Sequence, residues 1–116
     1  MDKSLKKFMD MSKNFLNAIT LDEYAEYARE LLKDRQHVEI LSQGREDLEI
    51  RVKNPSMDLE YIVELTLHRS RMQIRTRNFR ADTLISKVDT FIYRDQIDRR
   101  GLELFQAFSR LDLIAI

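Results

Sequence analysis

The sequence contains no cysteine, and only 2 of its 116 residues are glycine and 1 is proline. Without cysteine the chain can form no disulfide, no thiol nucleophile and no cysteine-ligated zinc site, and the absence suits a reducing compartment. The scarcity of glycine and proline argues against long flexible or low-complexity segments. Hydrophobic residues make up 43% of the chain, which is therefore predicted to be a single domain over residues 1–116 with its own core.

A long apolar segment is missing as well. The N-terminal lysines are followed by no continuous apolar run; they are Lys3, Lys6, Lys7 and Lys13. Neither a signal peptide nor a membrane span is therefore predicted, and the expected location is cytoplasmic.

The first third of the chain is predicted to form two helices. Apolar residues recur at three- and four-residue steps over residues 4–18, which is the period of a helix with one apolar face. Thr20 followed by Glu23 is typical of a capping box, in which each side chain bonds a backbone N–H at the start of a new helix. That second helix carries its own apolar stripe and is expected to end near Lys33 and Asp34. The aromatic residues of both helices are expected in the core; they are Phe8, Phe15, Tyr24 and Tyr27.

After residue 37 the apolar period changes from that of a helix to that of a strand. The alternating segments are residues 38–40, 48–52, 59–67 and 71–77. Turn signals separate them at residues 43–45 and 54–56. The pattern predicts four antiparallel strands, each with one buried face.

The third and fourth strands are predicted to pair in a register that puts the apolar partners on one face. Their hairpin is centred between Arg69 and Ser70. The predicted pairs are Leu67 with Met72, Leu65 with Ile74, Val63 with Thr76 and Glu64 with Arg75. A shift of the pairing by one residue would expose the core side chains to water, so this register is strongly specified.

The C-terminal third is predicted to be helical again. Apolar residues at positions 84, 85, 88, 91 and 92 fit a helix that Asp82 could cap. The alternative is a fifth strand over Thr90–Arg94, because this segment is rich in β-prone residues. A last amphipathic helix follows with Ile97, Leu104, Phe105, Phe108 and Leu111, and Gly101 is a weak point near its start.

The fold class that follows is α+β, in the order α-α-β-β-β-β-α-α. A four-stranded antiparallel sheet is flanked by two N-terminal and two C-terminal helices, which lie on one face. This arrangement buries every apolar stripe and leaves the other sheet face polar.

The sequence carries no recognisable catalytic motif. It has no glycine-rich phosphate loop, no nucleophile elbow and no histidine pair at metal-ligand spacing. His37 and His68 are expected to be surface residues at strand ends rather than general bases. Glu60 and Glu64 lie about 13 Å apart along one strand, which is too far for a retaining carboxylate pair. An enzyme, a metal site and a cofactor are therefore not expected.

One segment stands out by its charge. Although 20 basic and 20 acidic residues balance overall, residues 68–80 contain five arginines, no lysine and no acidic residue. The planar guanidinium binds carboxylate and phosphate groups through paired hydrogen bonds. The candidate partner-binding residues are Arg69, Arg71, Arg75, Arg77 and Arg80. The alternative is an ordinary solvated face, partly neutralised by Glu60 and Glu64 on the neighbouring strand.

These features predict a small non-catalytic protein-binding module of the inhibitor, immunity or adaptor type. Its partner would be another protein with an acidic surface, bound through the arginine-rich sheet face. The alternative is an RNA- or DNA-binding module that uses the same face, although a net charge of zero is unusual for that class. The apolar C-terminal residues Leu113, Ile114 and Ile116 and an open edge strand further predict a homodimer or larger assembly.

Overall fold

The computed structural model describes residues 3–14, 21–43 and 46–116 and shows an α+β fold. The helices of this part of the chain are α1 (Lys3–Asn14), α2 (Asp22–Leu31) and α3 (Ile97–Ile114). The strands are β1 (Val38–Gln43), β2 (Asp47–Asn54), β3 (Leu59–Leu67), β4 (Arg71–Arg80) and β5 (Thr83–Tyr93). One turn of 3-10 helix, Arg94–Gln96, joins β5 to α3.

The strands form a single antiparallel sheet in the order β1-β2-β3-β4-β5, in which every strand pairs with its neighbours in sequence. The predicted register of β3 and β4 is confirmed: Leu67 pairs with Met72, Leu65 with Ile74, Val63 with Thr76 and Glu64 with Arg75. Val63 and Leu65 are buried, as this register requires.

The predicted helix after Asp82 is wrong, because these residues form β5. The strand alternative for Thr90–Arg94 was closer, but β5 begins at Thr83 and ends at Tyr93. A helix here would leave the backbone N–H and C=O groups along one side of β4 without partners, and β5 supplies them. The sheet therefore has five strands rather than four, and α3 is the one C-terminal helix in the described part of the chain.

The connection between β4 and β5 explains why the sequence pattern was misleading. It is a two-residue turn in which both central residues, Ala81 and Asp82, have positive φ, 50° and 63°. Such turns suit the twist of a hairpin but usually contain asparagine or glycine. With alanine first and aspartate second, this turn lacks the asparagine–glycine or aspartate–glycine pair that usually marks such a hairpin.

Two details of the helices also differ from expectation. The end of the first predicted helix and the Thr20 cap fall within residues 15–20, which lie outside the described residues. Gly101 does not break α3; it lies inside the helix, where α1 approaches closely. A methyl group on Gly101 would lie 2.8 Å from Cε of Met9 and 3.0 Å from its Sδ, so a larger residue would displace this side chain.

The core lies between the helices and one face of the sheet. The buried sheet residues include Ile50, Val63, Leu65 and Met72, and α3 contributes Leu104, Phe108 and Leu111. The fully buried Phe8 ring on α1 lies at the centre of the helix layer. Its centroid is within 5.1 to 5.8 Å of the rings of Tyr24, Tyr27, Phe105 and Phe108. The expectation that the described aromatic residues of α1 and α2 belong to the core is confirmed.

The helix layer covers the sheet unevenly. α2 packs on β1, and α3 packs mainly on β2 and β3. On the same face, β5 is exposed over most of its length. This uneven cover leaves β5 accessible on both faces from Thr83 to Asp89, whereas the helix-facing side chains of β4 are buried.

One testable consequence concerns Tyr24, whose hydroxyl donates a 3.0 Å hydrogen bond to the buried Oγ of Ser12. Burial raises the pKa of Tyr24 from 10.0 to about 12. Below both pKa values the phenol is neutral in the folded and unfolded states. At a pH between the two pKa values, Tyr24 is ionised in the unfolded chain and neutral in the folded chain. Its contribution should therefore lower the free energy of unfolding by up to about 1.4 kcal/mol for each unit by which the pH rises.

Tyr24→Phe should therefore cost about 1 kcal/mol near neutral pH, since Ser12 loses its partner. The variant should then lose less stability than the parent chain as the pH rises from 10 towards 12. Urea unfolding across this range measures the difference. The control is the double variant Ser12→Ala/Tyr24→Phe, which removes both partners and should be less destabilised near neutral pH. Equal alkaline slopes for the parent chain and Tyr24→Phe would contradict the interpretation.

A second prediction concerns the β4–β5 turn. Ala81→Gly should stabilise the fold by about 0.5–1 kcal/mol, because glycine adopts positive φ without the steric cost that an L-residue incurs. The contrasting control is Ala107→Gly in the interior of α3, which should cost at least about 1 kcal/mol, because helix propensity falls and a buried methyl group is lost. Thermal unfolding measures both, and a destabilised Ala81→Gly chain would show that the turn is not strained.

Candidate interaction surface

The face of the sheet that points away from the helices carries most of the predicted arginines. Arg71, Arg75 and Arg77 alternate along β4 and share this open face. Arg69 lies in the β3–β4 turn and Arg80 ends β4, so these two are separated by the length of the strand, about 30 Å. The five predicted residues therefore do not form one patch.

The charge of Arg77 is balanced by carboxylates of β3 and β2. Its guanidinium forms an ion pair with Glu64 and lies 3.9 Å from Oε1 of Glu49, through Nη2 in both cases. The carboxylate thus comes from the residue diagonal to Arg77, since the directly opposite residue on β3 is Ile62. Ile62 is only 3% exposed although it lies on the open face. The stems of Arg77 and Arg51, which flank Ile62 in the same row, can shield it while their charged groups stay in water.

Arg75 also has a carboxylate partner, but on β5 rather than β3. Its Nε lies 3.4 Å from Oδ2 of Asp89, which is directly opposite. Oδ1 of Asp89 accepts a 3.1 Å hydrogen bond from Gln73, whose own Oε1 is 3.2 Å from Nε2 of His68. This row of polar contacts holds the side chains of the β4–β5 half of the open face in place.

Arg71 differs from both. Its Cζ lies 4.0 Å from the centre of the Phe91 ring and 5.8 Å from that of Tyr93, and Nη1 donates a 3.2 Å hydrogen bond to the Tyr93 hydroxyl. Among the residues that the structure describes, no carboxylate forms an ion pair with Arg71. We call Arg71, Phe91 and Tyr93 the Arg71 corner.

The two aromatic residues of the Arg71 corner were not predicted as part of a site. Phe91 falls in the predicted helix and both residues fall in the alternative fifth strand, but neither prediction places them beside β4. The usable signal was the alternation of Lys87, Asp89, Phe91 and Tyr93, which puts all four side chains on one face of a strand.

The structure places the two histidines and the carboxylates of β3 in separate surroundings. His37 and His68 are exposed and lie beside different strands, as expected. Glu60 and Glu64 point to the open face, where they pair with Lys53 and Arg77. Within the described ranges, no group of three or more histidine, aspartate or glutamate side chains could hold a metal ion.

A groove of about 670 Å³ lies on the other face, between α3 and the β4–β5 hairpin. Its floor includes Tyr61, Thr76 and Asn78, and its rim includes the exposed Val88 and Leu113. The buried Asn78 side chain donates to Oγ of Ser86 at 2.8 Å and accepts from Nε of Arg110 at 3.2 Å. Burial raises the pKa of Tyr61, against the opposing effects of a hydrogen bond with Thr76 and the charge of Arg110. The polar groups in the floor are thus satisfied by one another.

No helix in the described part of the chain is long and apolar enough to span a bilayer. Comparison with known proteins found no matching protein-family model, no matching curated protein and no matching solved structure.

The ion pairs of the open face can be ranked by exposure. The side chains of Arg77 and Glu64 are 38% and 25% exposed, whereas those of Arg75 and Asp89 are 50% and 53% exposed. Double-mutant cycles to alanine should give about 0.5–1 kcal/mol of coupling for the first pair and about 0.2–0.5 kcal/mol for the second. Urea unfolding measures both, and added salt should reduce the second more strongly. A larger coupling for Arg75 and Asp89 would contradict this ranking.

Proposed function

We propose that the chain is a small non-catalytic protein-binding module, of the inhibitor, immunity or adaptor kind. Its contact with an acidic surface of another protein would be centred on the Arg71 corner. The observation that carries the proposal is the arginine held against Phe91, with its Cζ 4.0 Å from the ring centre and no carboxylate partner among the described residues.

The Arg71 corner has the composition and order of an interface hot spot. Arginine and tyrosine are enriched among the residues that contribute most to protein–protein binding. Stacking on Phe91 and the hydrogen bond to Tyr93 restrict the guanidinium before a partner arrives. A carboxylate of the partner can therefore bind guanidinium N–H groups that are already oriented, and less conformational entropy is lost on binding.

The arrangement favours a protein over a nucleic acid as the partner. Proteins that bind a phosphate backbone usually present a clustered patch or stripe of basic groups. Here Arg75 and Arg77, the two central arginines of β4, already pair with Asp89 and Glu64. Arg69 and Arg80 lie at opposite ends of β4, so their charges do not combine into one basic patch.

The proposal predicts that Arg71→Glu removes the binding of a specific partner while Arg80→Glu does not. Both changes reverse one exposed or half-exposed charge on the same strand, so they alter the net charge equally. Immobilised parent chain and both variants would be compared for proteins retained from the source cells, by quantitative mass spectrometry. The expected partner is retained by the parent chain and Arg80→Glu and lost with Arg71→Glu. Its affinity, remeasured with purified components, should weaken as salt rises.

Three results would overturn this proposal. The first is a partner that all three chains retain equally. The second is a partner that Arg80→Glu loses as completely as Arg71→Glu, which would indicate general charge attraction. The third is binding of a labelled single-stranded oligonucleotide with a steep dependence on salt, which would support the nucleic-acid alternative instead.

A further inference from the structure

We propose that a second copy of the chain pairs with the outer edge of β5, antiparallel and about a two-fold axis that passes through Val88. The two sheets would then join into one. The segment that pairs ends before Phe91 and Tyr93, the two β5 residues of the Arg71 corner, so the inference goes beyond the proposed function and does not depend on it.

β5 is an unusually open edge strand. It is 11 residues long and ends the sheet, and no strand of the described residues pairs with its outer side. Every residue from Thr83 to Asp89 is exposed, including Leu84, Ile85 and Val88. An accessible strand of this length presents a row of unpaired backbone N–H and C=O groups to any other strand.

The side chains of β5 match one another in a single register. In a continuous sheet, directly opposite residues point to the same face, so the axis must pass through a residue and not between two. With the axis at Val88, each Lys87 faces the Asp89 of the other copy and each Ser86 faces a Thr90. Val88 then meets its own counterpart. In this register a positive charge faces a negative charge, a hydroxyl group faces a hydroxyl group, and an apolar side chain faces an apolar side chain.

Neighbouring registers lack this match. An axis at Lys87 would place two lysines opposite each other, and an axis at Asp89 would do the same with two aspartates. An axis at Thr90 would set both charged residues opposite aromatic ones, Lys87 against Tyr93 and Asp89 against Phe91. Lys87 thus hinders pairing of this edge with most other strands, because its charge would have no opposite charge to face. In an identical strand paired about Val88, Asp89 supplies that opposite charge.

The pairing also extends patterns already present in each copy. Lys87 and Asp89 lie on the open face, opposite Arg77 and Arg75 of β4. Across the axis, the row that contains Glu64, Arg75 and Asp89 would continue with the second copy's Lys87. On the other face the two helix layers lie on the same side, so the two grooves adjoin and Val88 is covered.

A bulge sets the length of the interface. Asn78 pairs with Ser86 but Phe79 pairs with Leu84, so the regular ladder of β5 stops at Ser86. Five residues of each copy, Ser86–Thr90, can therefore pair without distortion, which is the length of an ordinary strand. The association is expected to be reversible and to depend on concentration.

The register can be tested by exchanging the charges. Lys87→Asp puts aspartates opposite aspartates in a homodimer, and Asp89→Lys puts lysines opposite lysines. Each variant alone should dimerise at least tenfold more weakly, which is about 1.4 kcal/mol. Mixed together they should form a heterodimer, because all four facing positions again pair opposite charges. Sedimentation from about 1 µM to about 1 mM, with circular dichroism as the check on folding, measures this.

A second measurement uses the absence of cysteine from the chain. Val88→Cys places two thiols opposite each other on the axis, at a separation that a disulfide can span. Leu41→Cys, on the opposite edge strand and 45% exposed, is the matched control. Under mild oxidation, Val88→Cys should form covalent dimers at least about tenfold faster than Leu41→Cys.

The inference is overturned if the parent chain stays monomeric to about 1 mM, if the mixed charge variants associate no better than either alone, or if the two cysteine variants cross-link at equal rates. Arg71→Glu leaves the paired segment unchanged and should still dimerise. A failure of the Arg71 corner and a failure of the β5 edge can therefore be told apart.

Discussion

The position of the helix layer on the sheet is the constraint on which the remaining features depend. α3 lies over β2 and β3, where the aliphatic side chains are most completely buried, and α2 covers β1. Three helices on one face do not extend across five strands, so β5 projects beyond them while the helix-facing side chains of β4 stay buried. The groove beside α3, the exposed face of Val88 and the open edge of β5 all result from this mismatch in width.

β5 also determines which groups the arginines of the open face contact. Without it, Arg75 would be opposite Glu64 alone and the arginines of β4 would line an exposed edge. With it, Arg75 pairs with Asp89, Glu64 is left for Arg77, and Arg71 stacks on Phe91. The added strand thus gives Arg75 a carboxylate partner and Arg71 an aromatic one, although its own Lys87 and Asp89 add no net charge to the open face.

The sequence predicted those parts of the fold in which burial enforces a period. The register of β3 and β4 followed from Val63 and Leu65, because a slip would expose both. β5 was missed because it is exposed over most of both faces, so its apolar residues need not alternate and also fit a helix. The turn at Ala81 and Asp82 contains no glycine or asparagine, so the sequence did not indicate a hairpin there. The aromatic half of the Arg71 corner depended on β5 and was missed with it.

The meander topology has a consequence for how the chain assembles and opens. Each strand pairs only with strands next to it in sequence, so the sheet can form one hairpin at a time with short loop closures. The contact of α1 with α3 is different, since it joins opposite ends of the chain and brings Met9 against Gly101. Its loss would remove α1 from the helix layer without breaking any strand pair. Because Phe8 is fully buried against rings of α2 and α3, such an opening would expose the centre of the helix layer while every strand pair stays intact.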